Sequence, residues 1–218
     1  MKTRKIFVIG QSKTGKTTVS KKIYEIKKLS ETKRTNSTEE TKWDIYGRIE
    51  ASDWIKRLHP EISEELPDYR KIISKISLIE LSKNPNACIE WLSKSINCGK
   101  EFYEIHSQNK KEYSEVNINF ILSGIRNPYD FGHLFDAQKD IVVFLEPYGN
   151  HLSYEGFDRY IPLIKEMVQS FVKLGIVKEE NVIYADTRVG SYFNGFEGNS
   201  LFETATNAGI HIASLIKD

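Results

Sequence analysis

Residues Gly10-Gln11-Ser12-Lys13-Thr14-Gly15-Lys16-Thr17 follow the spacing GxxxxGK[ST]. Glycine, lysine and a hydroxyl at those intervals suit one kind of chemistry, the cradling of a phosphate chain. Glycines let the backbone curl with its N–H groups pointing inward, and a helix starting there adds partial positive charge at the same place. Lys16 is then expected at the β and γ phosphates, Thr17 at Mg²⁺, and Lys13 as added charge at the rim. Gly10, Ser12, Thr14, Gly15 and Thr18 complete the expected nucleotide-binding set. The flanks agree, because Ile6-Phe7-Val8-Ile9 is a short apolar run of strand type and Val19, Ile23 and Ile26 recur at helical spacing. Binding of an NTP or dNTP follows.

A chain of 218 residues can build one α/β domain around a buried sheet but is short for two independent cores, so a single domain over 1–218 is expected. Basic and acidic residues nearly cancel, 31 against 30, which leaves no global field to draw nucleic acid or a membrane surface. The expected partners are small-molecule nucleotides, with a homodimer left open. Cys88 and Cys98 match neither a CxxC pair nor a zinc pattern and read as core thiols of a reducing, cytoplasmic compartment. Nowhere does an apolar run approach the roughly 18 residues of a membrane span. The five histidines, His59, His106, His133, His151 and His211, share no metal spacing and pair with no evident nucleophile.

The apolar runs are short, continuous and separated by helical patterns, as parallel strands covered on both faces read. Four are clear, at 6–9, 118–122, 141–145 and 182–184, and a weaker one lies at 46–50. Between them, Tyr69, Ile72, Ile73, Ile76 and Ile79 form one helical stripe, and Cys88, Trp91, Leu92 and Ile96 a second. Ile161, Ile164, Val168, Phe171 and Val172 form a third, stopped by Gly175 as a C′ residue. Leu201, Ala205, Ala208, Ile212 and Leu215 predict a closing helix. Residues 30–42 read as a polar surface loop. The whole of 30–115 is longer than a simple crossover needs. Loops after successive strands converge on one crevice, so this insertion is expected to carry an acceptor pocket.

Three further segments give the chain a resemblance to phosphate-binding-loop kinases of nucleoside monophosphates and similar phosphorylated acceptors. The likeness is nearest to the phage-type deoxynucleoside monophosphate kinases and the related phosphomevalonate kinase group. Ala51-Ser52-Asp53-Trp54-Ile55-Lys56 is similar to the Ala-Asp-Pro-Leu-Lys type segment after the second strand, with Trp54 in place of proline. Tyr69-Arg70 resembles the Tyr-Arg that opens a following helix. Ile121-Leu122-Ser123-Gly124-Ile125-Arg126-Asn127-Pro128 resembles the strand-end segment of type hydrophobic-Asp-Val-Arg-Phe-Pro. The resemblance spans most of 5–146. It implies a three-layer α/β fold with sheet order 2-3-1-4-5, Mg²⁺, and ATP as donor.

Phosphoryl transfer asks chiefly for cations around the moving group and for two substrates held in line. Arg126 follows a buried strand, and its planar fork suits an acceptor phosphate. Arg70 stays open between a solvated helix residue and a phosphate contact, and the resemblance assigns it to phosphate. Ser123 stands where the family often has an aspartate. Either Asp53 or Glu50, from the end of the second strand, then supplies the anion, or turnover is impaired. Asp53 is the first choice for metal or acceptor, with a helix-start carboxylate after a Ser52 N-cap as the plainer reading. Lys56 can pair with Asp53 or meet a phosphate. Residues 146–159 read either as a lid that delivers Arg159 to the donor phosphates or as a surface loop with Asp158 capping a helix. By position in resembling kinases, Arg188 falls beside the donor base, whereas Tyr192, Phe193 and Phe196 read as packing residues. The expected activity is transfer of the γ-phosphate of ATP to a (deoxy)nucleoside monophosphate. The other readings are an NTPase or switch without small-molecule kinase activity, and a kinase for another phosphorylated acceptor.

Overall fold

The computed structural model describes residues 2–11, 14–31, 42–63, 65–108, 115–146, 156–186 and 201–216. The strands are β1 (Lys2–Gly10), β2 (Lys42–Glu50), β3 (Glu115–Ser123), β4 (Ile141–Glu146) and β5 (Val182–Asp186). They form one parallel sheet in the order β2-β3-β1-β4-β5. The expected α/β class and strand order are therefore present. The register sets Val8 opposite Ser123, Ser123 opposite Glu50, and Gly10 opposite Leu145. The C-terminal tips of β1 to β4 thus lie side by side, and the segments after them open on one edge.

The described helices are α1 (Lys16–Glu31), α2 (Asp53–Leu58), α3 (Tyr69–Lys83), α4 (Ala87–Gln108), α5 (Pro128–Leu134), α6 (Ile161–Lys173) and α7 (Leu201–Leu215). Alternation along β1 explains how they divide. Ile6 and Val8 face a core made with Val19 and Ile23 of α1 and with Ala205, Ala208 and Ile212 of α7. Phe7 and Ile9 face the other core, which holds Trp54, Ile55, Ile73, Leu92, Ile96, Phe131, Ile164 and Val168 of α2 to α6. Helices cover both faces, which is why β1 reads as an unbroken apolar run. Among the described residues no helix is long and apolar enough to cross a membrane.

The long segment between α1 and β3 resolves into an edge strand and three helices. The weak strand expected at 46–50 is the end of a nine-residue strand that starts at Lys42. As an edge strand it carries Asp44, Arg48 and Glu50, and these dilute the apolar signal. Cys88 is buried but Cys98 is exposed, because it falls outside the stripe that α4 turns to the sheet. Ile79 and Leu215 are likewise exposed, and Ile216 is buried beside Ile212 instead. Gly175 closes α6 as expected. It adopts φ 69°, and the N–H groups of Gly175 and Ile176 donate to the carbonyls of Val172 and Phe171.

Phe120 of β3 lies against two glycines. A Cβ on Gly47 of β2 would sit 3.2 Å from its ring, and one on Gly99 of α4 would sit 2.8 Å from it. Gly99→Ala therefore sets two effects against each other. Helix propensity favours alanine by about 1 kcal/mol, while the new methyl meets a ring buried to 2 % exposure with no room to move. The collision is expected to win, so that chemical denaturation shows Gly99→Ala less stable than the parent and Phe120→Leu restoring much of the loss in the double variant.

Candidate functional site

The turn from β1 into α1 is built around two positions that exclude side chains. A Cβ on Gly10 would lie 2.7 Å from Thr14 Oγ1 and 3.0 Å from the Leu145 carbonyl oxygen. Gly15 has φ 76°, and a Cβ there would come within 2.6 Å of Ala205 Cβ on α7. The loop is tied internally by Thr14 Oγ1 donating to the Gln11 carbonyl at 2.9 Å. Hydrogen bonding of α1 begins as Val19 N–H donates to the Gly15 carbonyl at 2.9 Å. The ammonium of Lys16 lies over the loop and donates to the Gln11 carbonyl. Lys16 and Thr14 are buried, Thr18 is half-buried and Thr17 is exposed. The turn thus sets the N-terminus of α1, the Lys16 ammonium and the exposed Thr17 hydroxyl beside one another, groups of a kind that suits an anion. Ser12 and Lys13 lie outside the described residues.

The carboxylate beside Thr17 comes from β2. Thr17 Oγ1 donates to Glu50 Oε1 at 3.3 Å, and the Ser52 hydroxyl donates to the same oxygen at 3.2 Å. Arg48 holds Glu50 Oε2 at 3.0 Å and reaches back with Nε to Ser20 Oγ of α1, also at 3.0 Å. Ser52 is thus committed to Glu50 and forms no side-chain cap on α2. Asp53, in the first turn of α2, lies 3.6 Å from Lys56 Nζ. Lys56 thus forms the pair with Asp53. Ser123 is 1 % exposed, and its hydroxyl has no hydrogen-bond partner among the described residues.

Arg126 follows the tip of β3, past Gly124 with φ 83°. Its Nη1 lies 3.3 Å from Oδ1 of Asp158, a residue only 1 % exposed. Its Nε is buried without a hydrogen-bond partner among the described residues. Asp158 belongs to a 3-10 helix, Gly156–Tyr160, and Tyr160 rather than Asp158 stands at the N-cap of α6. The helix-cap reading of Asp158 is therefore replaced by an ion pair with Arg126. Arg159 turns to its neighbour, donating to Tyr160 Oη at 2.6 Å with its guanidinium 4.7 Å from that ring's centroid. Arg70 lies in the first turn of α3. Residues 147–155 of the expected lid lie outside the described residues, as do Arg188, Tyr192, Phe193 and Phe196.

The structure thus brings Lys16, Thr17 and Glu50 together, places Arg126 after the adjoining strand, and leaves Asp53, Lys56 and Arg159 engaged with local partners. Sequence reasoning did not single out Arg48, whose contact with Glu50 follows only from the alternation of β2. It also gave Asp158 no part at Arg126, since that pair joins segments with no periodic relation. Among the described residues no group of three or more His, Cys, Asp or Glu suits a metal ion. A cation at Thr17 would then complete its shell with phosphate oxygens and water, the usual habit of Mg²⁺. Neither family models nor curated proteins give a match to this chain.

Asp130, in the first turn of α5, was also not foreseen. It is buried, and its Oδ1 has no hydrogen-bond partner among the described residues. Burial pushes its carboxyl up to about 6, against the opposing pull of the Cys88 thiol and of His133. Burial and the charge of Asp130 push the Cys88 thiol well above its ordinary range. The native protein then holds a proton on Asp130 that the unfolded chain releases near 3.8. Stability should fall as pH rises from about 4 to about 6. Urea unfolding across that window is expected to show this slope in the parent and a flatter profile in Asp130→Asn, which is predicted to be the more stable of the two above the window.

Proposed function

We propose that the chain is an ATP-dependent phosphotransferase that moves the γ-phosphate to a (deoxy)nucleoside monophosphate. The observation that carries this reading is the placing of an anion cradle with Lys16 after β1 and of Arg126 after the adjacent β3, on one edge of a sheet ordered 2-3-1-4-5. Ligands of open parallel sheets bind outside the carboxyl ends of the strands, the edge after which both Lys16 and Arg126 follow. The same order is the one implied by the resemblance to nucleoside monophosphate kinases.

In this reading the loop amides and Lys16 hold the donor's β and γ phosphates, which requires the ammonium to leave the Gln11 carbonyl for a phosphate oxygen. Thr17 supplies a hard oxygen donor that fits Mg²⁺. When bound, that ion neutralises charge on the transferring group. Arg126 binds the acceptor phosphate. Asp158 keeps the guanidinium oriented in advance, so that little side-chain entropy is lost on binding. Arg70 joins the acceptor site by resemblance alone. A cytoplasmic location, where thiols such as exposed Cys98 stay reduced, belongs to the same proposal.

A second reading, an NTPase or switch that phosphorylates no small molecule, is favoured by one observation. The β3 tip carries the buried hydroxyl of Ser123 where such kinases often place an acid. Radiolabelled ATP incubated with each common NMP and dNMP separates the readings. Label moving to a diphosphate supports the kinase, free phosphate alone supports the switch, and label moving only to other phosphorylated metabolites supports a different acceptor. Lys16→Ala is expected to abolish transfer with the fold retained. Arg126→Ala should raise KM for the acceptor about 10- to 100-fold, as the loss of a charge-assisted contact does, while KM for ATP stays near the parent value. An unchanged acceptor KM removes Arg126 from the site.

A further inference from the structure

We infer that the acid serving the loop hydroxyl and its divalent cation has moved one strand across the sheet, from the tip of β3 to Glu50 at the tip of β2. The inference rests on the proposed nucleotide-binding reading and names the residue that reading leaves open. Register is the first support. Ser123 pairs with Val8 of β1 on one side and with Glu50 on the other, so the β3 position and Glu50 are cross-strand neighbours at the same height. A carboxylate at either can serve the edge where α1 begins. Ser123 presents a hydroxyl with no charge and no hydrogen-bond partner among the described residues. Glu50 presents a carboxylate 3.3 Å from Thr17 Oγ1.

The surroundings of Glu50 are those of a group held for a task. Oε2 is bound by Arg48 at 3.0 Å, and Arg48 is braced in turn on Ser20, one turn into α1 from Thr17. Oε1 is left with two hydroxyls, those of Thr17 and Ser52. An ionised carboxylate accepts at about four lone-pair positions, two on each oxygen, so Thr17 and Ser52 fill Oε1 while Oε2, bonded to Arg48, keeps acceptor capacity. Thr17 can keep its proton on Glu50 and turn a lone pair to a cation, which fixes the hydroxyl's orientation and places negative charge beside the metal. Asp53 fits the role less well, because its carboxylate is turned to Lys56 at 3.6 Å and has no recorded contact with Thr17. Glu50 acts through Thr17 and is therefore a positioning residue.

The test is calorimetric titration of the full chain with ATP, with and without Mg²⁺. The parent should bind ATP more tightly with Mg²⁺. Glu50→Gln should lose that tightening by about tenfold or more while metal-free ATP binding, which reports an intact loop, stays. Adding Ser123→Asp to Glu50→Gln should restore Mg²⁺ dependence, a rescue that a merely structural role for Glu50 would not produce. Glu50→Asp, which keeps the charge but withdraws it from Thr17, should show a smaller loss, and it serves as the decisive variant if Glu50→Gln does not fold. Asp53→Asn should keep the dependence. Full Mg²⁺ dependence in both Glu50 variants, or its loss in Asp53→Asn alone, overturns the assignment. Parent protein that binds ATP indifferently to Mg²⁺ also overturns it while leaving the nucleotide site standing. Parent protein that binds no ATP at all overturns the nucleotide reading itself.

Discussion

The close approach of α7 to the turn between β1 and α1 is the constraint from which the rest of the edge follows. With Gly15 at φ 76° and its missing Cβ only 2.6 Å from where Ala205 stands, the backbone can turn into α1 against a neighbouring helix. A side chain at Gly15 would collide with α7, and one at Gly10 with Thr14 and with Leu145 of β4. That geometry fixes where Lys16 and Thr17 emerge. Thr17 then lies within reach of the β2 tip, and Lys16 over the loop.

Charge at this edge is balanced in local sets rather than as a single field. Glu50 is held between Arg48 and the Thr17 hydroxyl, Asp53 by Lys56, and Arg126 by Asp158. Exposed pairs of the Asp53–Lys56 kind contribute little to stability. Arg126–Asp158 differs, because the carboxylate is almost wholly buried and removal of Arg126 would leave it without its guanidinium. Such a pair costs desolvation energy, which is offset by the orientation it imposes. It also joins the 3-10 helix Gly156–Tyr160 to the segment after β3.

The turn from β1 into α1 was legible in the chain because its determinants are local. Spacing alone places Gly10, Gly15, Lys16 and Thr17, and continuous apolar runs mark β1, β3 and β4. What was not legible depends on contacts across the sheet. The edge strand β2 carries Asp44, Arg48 and Glu50 and so hides its length. The choice between Glu50 and Asp53 turns on register with Ser123, which no local pattern encodes. Asp53 looked the better acid because its segment after the second strand resembles that of the kinases, yet its place in the first turn of a helix put Lys56 one turn away on the same face. Asp130 and Asp158 are buried carboxylates set by tertiary packing, and no local pattern in the chain signals either.

The central claim is that the loop after β1 grips a polyphosphate tail. Displacement of a fluorescent ATP analogue from the unaltered protein by ATP, inorganic tripolyphosphate and adenosine tests it most directly. The account predicts saturable binding of the analogue, displaced by ATP and by tripolyphosphate but not by adenosine. Binding displaced by adenosine as readily as by ATP, or no saturable binding at all, would contradict it.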